Sequence, residues 1–343
     1  MDLATVDAKS LFASEPALAD RFEILRELGK GSSASVYQVL DRERQKLLAL
    51  KVLTNRKAFL DSTISRFVEE FTICESIEHP NLVRTYDLFQ TKNIIAFTVD
   101  YVDGSDLSKV IDSRQLSPPE IDLVFDQLLG ALEELHGRNL IHRDIKPENL
   151  ILGRDLVLKV VDLGLIKRVD EPGLTKTGII LGTAQYMPPE YVRSGEHDAR
   201  GDIYACGMVL FELVTGKRRL KNYRGTEVLE ILDRSDFTIP AAALQGVPKK
   251  YAEIIKKALA ADPDRRYQSA AAMRSAFACD HHEGVVEEIQ HVGPNIELGR
   301  YHTEMTEIRK KRKSKGIMCG LGIASLVIML LSIGYLMRIR GMW

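Results

Sequence analysis

The stretch HRDIKPENL, residues 142–150, sets five ionisable side chains and an asparagine in nine consecutive positions. Leu140-Ile141 runs just before it and Ile151-Leu152 just after, so the charges stand between segments that are driven to be buried. A loop on open surface carries such charges at no cost, whereas a half-buried one needs a partner for each. Whatever this chain folds into must bring counter-charges, or a ligand, to residues 142–150.

The chain is long enough to do so: 343 residues can build a sizeable core divided between two lobes or domains. A hydrophobic content of 45% and a charged content of 28%, with formal net charge -1, are those of an ordinary globular protein. No basic bias points to nucleic acid. Cys74, Cys206, Cys279 and Cys319 are scattered, without CxxC spacing or disulfide-scaffold density, which predicts structural thiols in a reducing compartment. The opening MDLATVDAKSLFASEPALAD has neither a basic n-region nor an apolar h-region, so no secretory signal is expected.

The hydrophobic period changes along the chain. From Phe22, FEILRELG, SVYQVLDR and KLLALKVL predict three short strands of a small antiparallel sheet. Residues 61–78 switch to helical spacing, with Ile64, Phe67, Phe71, Cys74 and Ile77 on one stripe, Asp61 as cap and His79-Pro80-Asn81 as the stop. Apolar runs at 82–89 and 94–102 read as further strands. Residues 117–139 predict a long amphipathic helix with Ser117 as cap, prolines in its first turn and Gly137 at its exit. LILG and LVLKVVDL suggest a hairpin, and from about Gly201 to Ala278 the spacing is mostly helical. Strands first and helices later make an α+β chain of two lobes.

The far end differs. Residues 280–308 are polar without a clear period and read as a linker; His281-His282 have no acidic or cysteine partner at ligand spacing. Gly316 to Met337 carries no charged residue and would span roughly 33 Å as a helix, about one bilayer core. RKKRKSK, Arg309 to Lys315, stands directly before it and reads as a cytoplasmic flank that attracts anionic headgroups. Arg338 and Arg340 reduce the asymmetry, but the six-residue tail is far easier to translocate than the large upstream part.

Several short motifs carry chemistry. GKGSSASV, Gly29 to Val36, lies between two strands and can fold its N–H groups over phosphates; alone, it reads equally as a flexible hairpin turn. A dinucleotide-binding fold would put a helix after these glycines, and here a strand follows. Lys51 falls inside an apolar strand. Such a lysine ordinarily faces solvent, but pointed inward it would need an anion, which Glu70 of the next helix or a phosphate would supply. In the charged loop Asp144 is a candidate base, Lys146 a cation for a transferring phosphoryl group and Asn149 a neutral metal ligand. Asp162, where VVDLG ends a strand, is a second hard oxygen donor suited to Mg2+.

In this order, the motifs resemble those of eukaryotic-type protein kinases over residues 22 to about 279, and most of all the bacterial transmembrane serine/threonine kinases. HRDIKPENL is a full match to the family's catalytic loop. The resemblance implies a bilobal fold, with a small antiparallel sheet and one main helix in the first lobe and a mostly helical second lobe. It implies transfer of the γ-phosphoryl group of ATP, with Mg2+, to protein Ser/Thr hydroxyls. Asp144 would orient or deprotonate the acceptor hydroxyl, Lys146 marks serine/threonine-specific members, and Asn149 and Asp162 would hold metal. Gly29, Lys30, Gly31, Ser32, Ser33 and Ala34 would cover ATP, while Lys51 would reach its phosphates and pair with Glu70. Val36, Ala49 and Ile151 match positions that sandwich adenine, and Val99 the position at the back of that pocket.

GTAQYMPPE resembles the segment that closes the activation loop, where Thr183 would contact Asp144 and Lys146. Glu190 would pair with Arg266, and Asp202 resembles the buried aspartate that braces the catalytic loop. Arg143 beside Asp144 is a built-in receptor for phosphate, and Thr175 and Thr177 match the family's autophosphorylated threonines. The expected organisation is an N-terminal extension at 1–21, a kinase domain at 22–279 and a juxtamembrane linker at 280–315. A transmembrane helix at 316–337 and a tail at 338–343 complete it. Expected partners are protein substrates, membrane lipids and a second copy of the chain for trans-autophosphorylation, with the kinase domain in the cytoplasm.

Departures are modest. Ala34 replaces the family's third loop glycine, DLG and PPE replace commoner forms without removing a catalytic group, and TGKRRL lacks a Pro-Phe that often follows its helix. A membrane-held pseudokinase scaffold is the alternative reading; such proteins typically lack the lysine or aspartates that are all present here. A small-molecule phosphotransferase on the same fold is disfavoured by the complete GTAQYMPPE segment.

Overall fold

Strand Lys46–Leu53 alternates Leu48, Leu50 and Val52 on one face with Ala49, Lys51 and Leu53 on the other. Both faces are covered, and the first lobe is built around that fact. The computed structural model describes residues 15–31, 34–53, 61–91, 94–162, 167–168, 183–218, 226–233 and 239–279. Ser32, Ser33, Thr175, Thr177 and the whole of 280–343, including the uncharged stretch, lie outside them. Among the described residues no helix is long and apolar enough to cross a membrane.

The first lobe runs α1 (Pro16–Arg21), β1 (Phe22–Lys30), β2 (Ala34–Asp41), β3 (Lys46–Leu53), α2 (Asp61–Glu75), β4 (Thr85–Gln90) and β5 (Ile95–Asp100). Its antiparallel sheet has the order β1-β2-β3-β5-β4. Leu48, Leu50 and Val52 pack with Leu18 of α1 and with Phe22, Tyr37 and Val39. On the other face Leu53 packs with Phe67 and Phe71 of α2 and with Ile95 and Phe97. Helix α1 falls in the segment read as an extension, yet Leu18 is buried and Arg21 Nη2 pairs with Asp41 at 2.8 Å and Asp87 at 2.6 Å. Burial would raise the Asp41 carboxyl, but Arg21 and two backbone N–H groups lower it to about 2.

Helix α2 ends at Glu75, two residues short of the end of its apolar stripe at Ile77. Ile77 still enters the core, from a turn closed by its N–H on the Cys74 carbonyl at 3.1 Å. Asp61 is itself the first helical residue.

The second lobe contains β6 (Gly104–Asp106), α3 (Leu107–Ser113), α4 (Pro118–Gly137), β7 (Leu140–Ile141), β8 (Leu150–Gly153), β9 (Leu158–Val160) and β10 (Lys167–Arg168). Helices α5 (Pro189–Ser194), α6 (Ala199–Thr215), α7 (Thr226–Asp233), α8 (Lys249–Ala258) and α9 (Ala270–Cys279) follow. The start of α4 is fixed by Glu120, whose carboxylate accepts the Ser117 N–H at 2.8 Å. Its exit uses Asn139 at φ 59°, not Gly137, for the left-handed residue, which asparagine tolerates. Residues 201–213 of α6 are all buried, so this helix is the axis of the lobe, with α4 and α8 packed against it.

Strands β6, β8 and β9 form a small sheet in that order, and β7 pairs with β10. Leu150 and Leu152 of β8 point into the helical core, which turns Ile151 away from it.

Candidate active site

The face of β3 that meets α2 decides where Lys51 goes. Val36 lies opposite Lys51 and Val99 opposite Ala49, so Val36, Ala49, Lys51 and Val99 share that face. Helix α2 presents Phe67, Glu70 and Phe71 towards it at helical spacing. Lys51 therefore points inward, and its Nζ lies 2.7 Å from Glu70 Oε1 and 2.8 Å from Asp162 Oδ1. Burial would push the Lys51 ammonium down, but Asp162 and Glu70 together hold it above the usual lysine range. Lys51, for its part, holds the Asp162 carboxylate below its usual range, and burial raises that of Glu70.

Asp162 reaches Lys51 because β9 is stitched to the segment after α2. The Val160 N–H donates to the Asn81 carbonyl at 2.8 Å, and the Val83 N–H to the Val160 carbonyl at 3.2 Å. Asp162 itself takes φ 58°, a left-handed conformation unusual for a non-glycine residue, as does Arg143 at φ 65°.

The β8–β9 ladder joins this cluster to the charged loop. Leu150 pairs with Val160, and the Val161 N–H donates to the Asn149 carbonyl at 2.9 Å, which brings Asn149 and Asp162 to the same end of the hairpin. Asn149 Nδ2 donates to Asp144 Oδ2 at 2.8 Å and to the Asp144 carbonyl at 2.9 Å, so its amide oxygen remains as an acceptor. Lys146 Nζ donates to the same Oδ2 at 2.6 Å. Asp144 Oδ1 is buried and has no hydrogen-bond partner among the described residues. His142 Nδ1 accepts the Asp144 N–H at 3.2 Å, and burial pushes the imidazole pKa down, which keeps that nitrogen an acceptor.

Beneath the loop, Asp202 of α6 accepts the N–H groups of His142 and Arg143 at 2.8 and 2.9 Å and contacts His136 Nε2 at 2.9 Å. Burial would raise its carboxyl, yet His136 and His197 keep it far below the usual range. Glu190 of α5 meets Arg266 in a two-pronged pair at 2.7 and 2.6 Å. Arg266 is buried over Tyr204 and also donates to the carbonyls of Ala260 and Arg200. Tyr186 donates to Glu212 of α6, with oxygens at 3.1 and 3.0 Å, and burial raises that carboxyl to about 7.

Lys30 ends β1 exposed, and Gly31 donates its N–H to the Ala34 carbonyl at 2.8 Å. The Thr183 backbone opens a single 3-10 turn, and its side chain lies outside the described residues. No motif in the sequence marks His136, Glu212 or His197; His136 and Asp202 are 66 positions apart, and no local pattern links them.

These groups fit a magnesium-bound triphosphate. No cluster of three or more His, Cys, Asp or Glu side chains among the described residues is set to hold a metal alone. Asn149 and Asp162 offer two hard oxygen donors, so such a metal would take its remaining ligands from phosphate and water. A Cβ at Gly29 would meet nothing within 4 Å, which leaves open space beside β1. Lys51 uses two of its three donors on carboxylates and keeps one for a phosphate oxygen.

Residues 22–278 match the family described as Protein kinase domain. Similar proteins include the serine/threonine-protein kinase PknL of Mycobacterium tuberculosis, 32% identical over 289 residues that cover 83% of this chain and 70% of the relative. The serine/threonine-protein kinase PrkC of Bacillus subtilis is 34% identical over 274 residues, 77% of this chain and 41% of the relative. The serine/threonine-protein kinase PknB of Mycobacterium leprae is 33% identical over 267 residues, 76% of this chain and 43% of the relative.

Proposed function

Because the chain belongs to the protein kinase family and is an ATP-dependent protein serine/threonine kinase, we propose that it works at a membrane and phosphorylates its own activation loop. Its anchor would be the uncharged stretch 316–337, with the basic run Arg309–Lys315 on the cytoplasmic side beside anionic lipid. A second copy of the chain would be the partner that phosphorylates Thr175 or Thr177 in trans.

Bound Mg-ATP supplies the phosphoryl group and the cation that offsets phosphate charge. The chain supplies position. Asp144 is the group that accepts the hydrogen bond of the substrate hydroxyl: Lys146 and Asn149 hold its Oδ2, which fixes the carboxylate and leaves the buried Oδ1 for that hydroxyl. Lys51, aligned by Glu70, would hold phosphate, and Asn149 and Asp162 would hold the metal. Val36, Ala49 and Val99 on the sheet face, with Ile151 facing away from the helical core, would enclose the base. The orphaned Oδ1 of Asp144 carries this assignment, since a buried acceptor without a partner is costly unless a substrate supplies the donor.

The test incubates the full chain in lipid vesicles with labelled ATP and Mg2+, beside Asp144→Asn, and maps phosphosites by mass spectrometry. Label on Thr175 or Thr177 in the parent alone supports the proposal. ATP binding without label in either chain favours a scaffold. Fractionation of cells that express the full chain or residues 1–315 tests the anchor, which is wrong if both distribute alike.

A further inference from the structure

Asp202 takes three N–H groups, from His142, Arg143 and the His136 ring. A carboxylate offers about four lone-pair sites, so one remains. Facing it is Nε2 of His197, 3.7 Å from Oδ1 and beyond hydrogen-bond length. That nitrogen is buried without a hydrogen-bond partner among the described residues, on a side chain only 6% exposed.

The surroundings hold the ring there. Gly201 lies four residues on, in the first turn of α6, and a Cβ at that position would overlap His197 Nε2. Glycine inside a helix weakens it, and here it makes room for an imidazole. On its other side the ring meets Tyr191 of α5 edge-on, centroids 5.6 Å apart, and Tyr191 lies within the electrostatic reach of Arg143. His197 thus links the helix that begins at the end of GTAQYMPPE to the aspartate that holds the catalytic loop.

We infer that His197 is a positioning residue for the catalytic loop. When α5 settles against α6, Nε2–H closes on the last free lone pair of Asp202 and stiffens the backbone at His142 and Arg143 that aims Asp144. The movement required is less than about 1 Å. No sub-ångström gap of this kind can be read from sequence, because it depends on three elements packing together.

The inference rests on the kinase reading for its rate measurement and on backbone exchange for a readout without turnover. The full chain is assayed with Mg-ATP and casein as acceptor, and amide exchange is followed at His142 and Arg143. His197→Leu keeps bulk and loses the donor; His197→Gln returns an N–H to nearly the same place. The expected result for His197→Leu is a kcat ~10-fold lower, with KM for ATP within about twofold, melting within a few degrees and faster exchange at both amides. His197→Gln keeps kcat within about threefold. Gly201→Ala, which displaces the ring, lowers kcat and quickens exchange as His197→Leu does and also lowers the melting temperature, and His197→Ala/Gly201→Ala restores the melting temperature but not kcat. Parent-like exchange in His197→Leu, or equal losses in the leucine and glutamine variants, overturns the inference. An inactive parent with slow exchange lost in His197→Leu would fault the choice of acceptor and leave the positioning role standing.

Discussion

Lys51 Nζ lies 2.7 Å from Glu70 Oε1, across the packing seam between β3 and α2. The seam is otherwise apolar, closed by Phe67, Phe71 and Phe97, with the two aromatic contacts to Phe97 at centroid distances of 4.7 and 6.1 Å. An ion pair set among these rings ties the position of α2 to the charge at Lys51, and through Asp162 to the end of β9. Any shift of α2 must therefore disturb the site.

Replacement of Lys51 by Met leaves Glu70 without its cation. Kinase activity should fall by ~100-fold or more, and stability by about 1–3 kcal/mol, discounted because Asp162 is half-exposed. In Lys51→Met/Glu70→Gln part of that loss should return. Urea unfolding of the four members of the cycle measures the coupling, expected at about 1–2 kcal/mol; strictly additive losses would mean the pair is not coupled.

The Arg266–Glu190 pair is buried on the arginine side. Arg266→Ala strands the Glu190 carboxylate and the carbonyls of Ala260, Arg200 and Ala261, at a cost of about 3–5 kcal/mol. Arg266→Lys should recover little, because an ammonium cannot make the two-pronged contact or stack on Tyr204. Thermal unfolding of both variants decides it, and a lysine variant as stable as the parent would contradict this geometry.

Glu212 sets a pH dependence with a definite sign. Its folded pKa, about 7, lies above the unfolded value of 4.5, so the folded state favours the protonated acid. Its stabilisation is complete below about pH 4.5 and is lost as pH rises through 7, by up to about 3 kcal/mol. Melting temperatures from pH 5 to 8 should decline in the parent and flatten in Glu212→Gln. A parent profile no steeper than that of the variant would show that the carboxyl titrates normally.

Asp202 has the opposite sign. Its folded pKa is depressed, so its contribution is present above about pH 3.8 and fades only in strong acid. Asp202→Ala removes the acceptor of two backbone N–H groups and should lower kcat by ~100-fold and stability by about 2–4 kcal/mol. Amide exchange at His142 and Arg143 should quicken more than elsewhere, and uniform exchange would argue against a local brace.

The amino-acid order alone determined which segments enter the core. KLLALKVL forms a strand over the whole of Lys46–Leu53 because both of its faces are apolar, and Ser117 begins α4 because Glu120 stands three residues on. The charged loop announced itself by chemistry its neighbours could not satisfy. Local periodicity encodes inside against outside, but not who meets whom. Only the tertiary structure turned Lys51 inward, since that depends on α2 covering the second face of β3. It alone placed Asp202 under the backbone of residues 142–143 and His197 beside it, and put the left-handed residue at Asn139, two positions past the end of α4 at Gly137. Lys51 and Asp162 are 111 positions apart and His142 and Asp202 are 60 apart, and they meet because close-packed helices and strands leave each buried polar atom few places to find a counterpart.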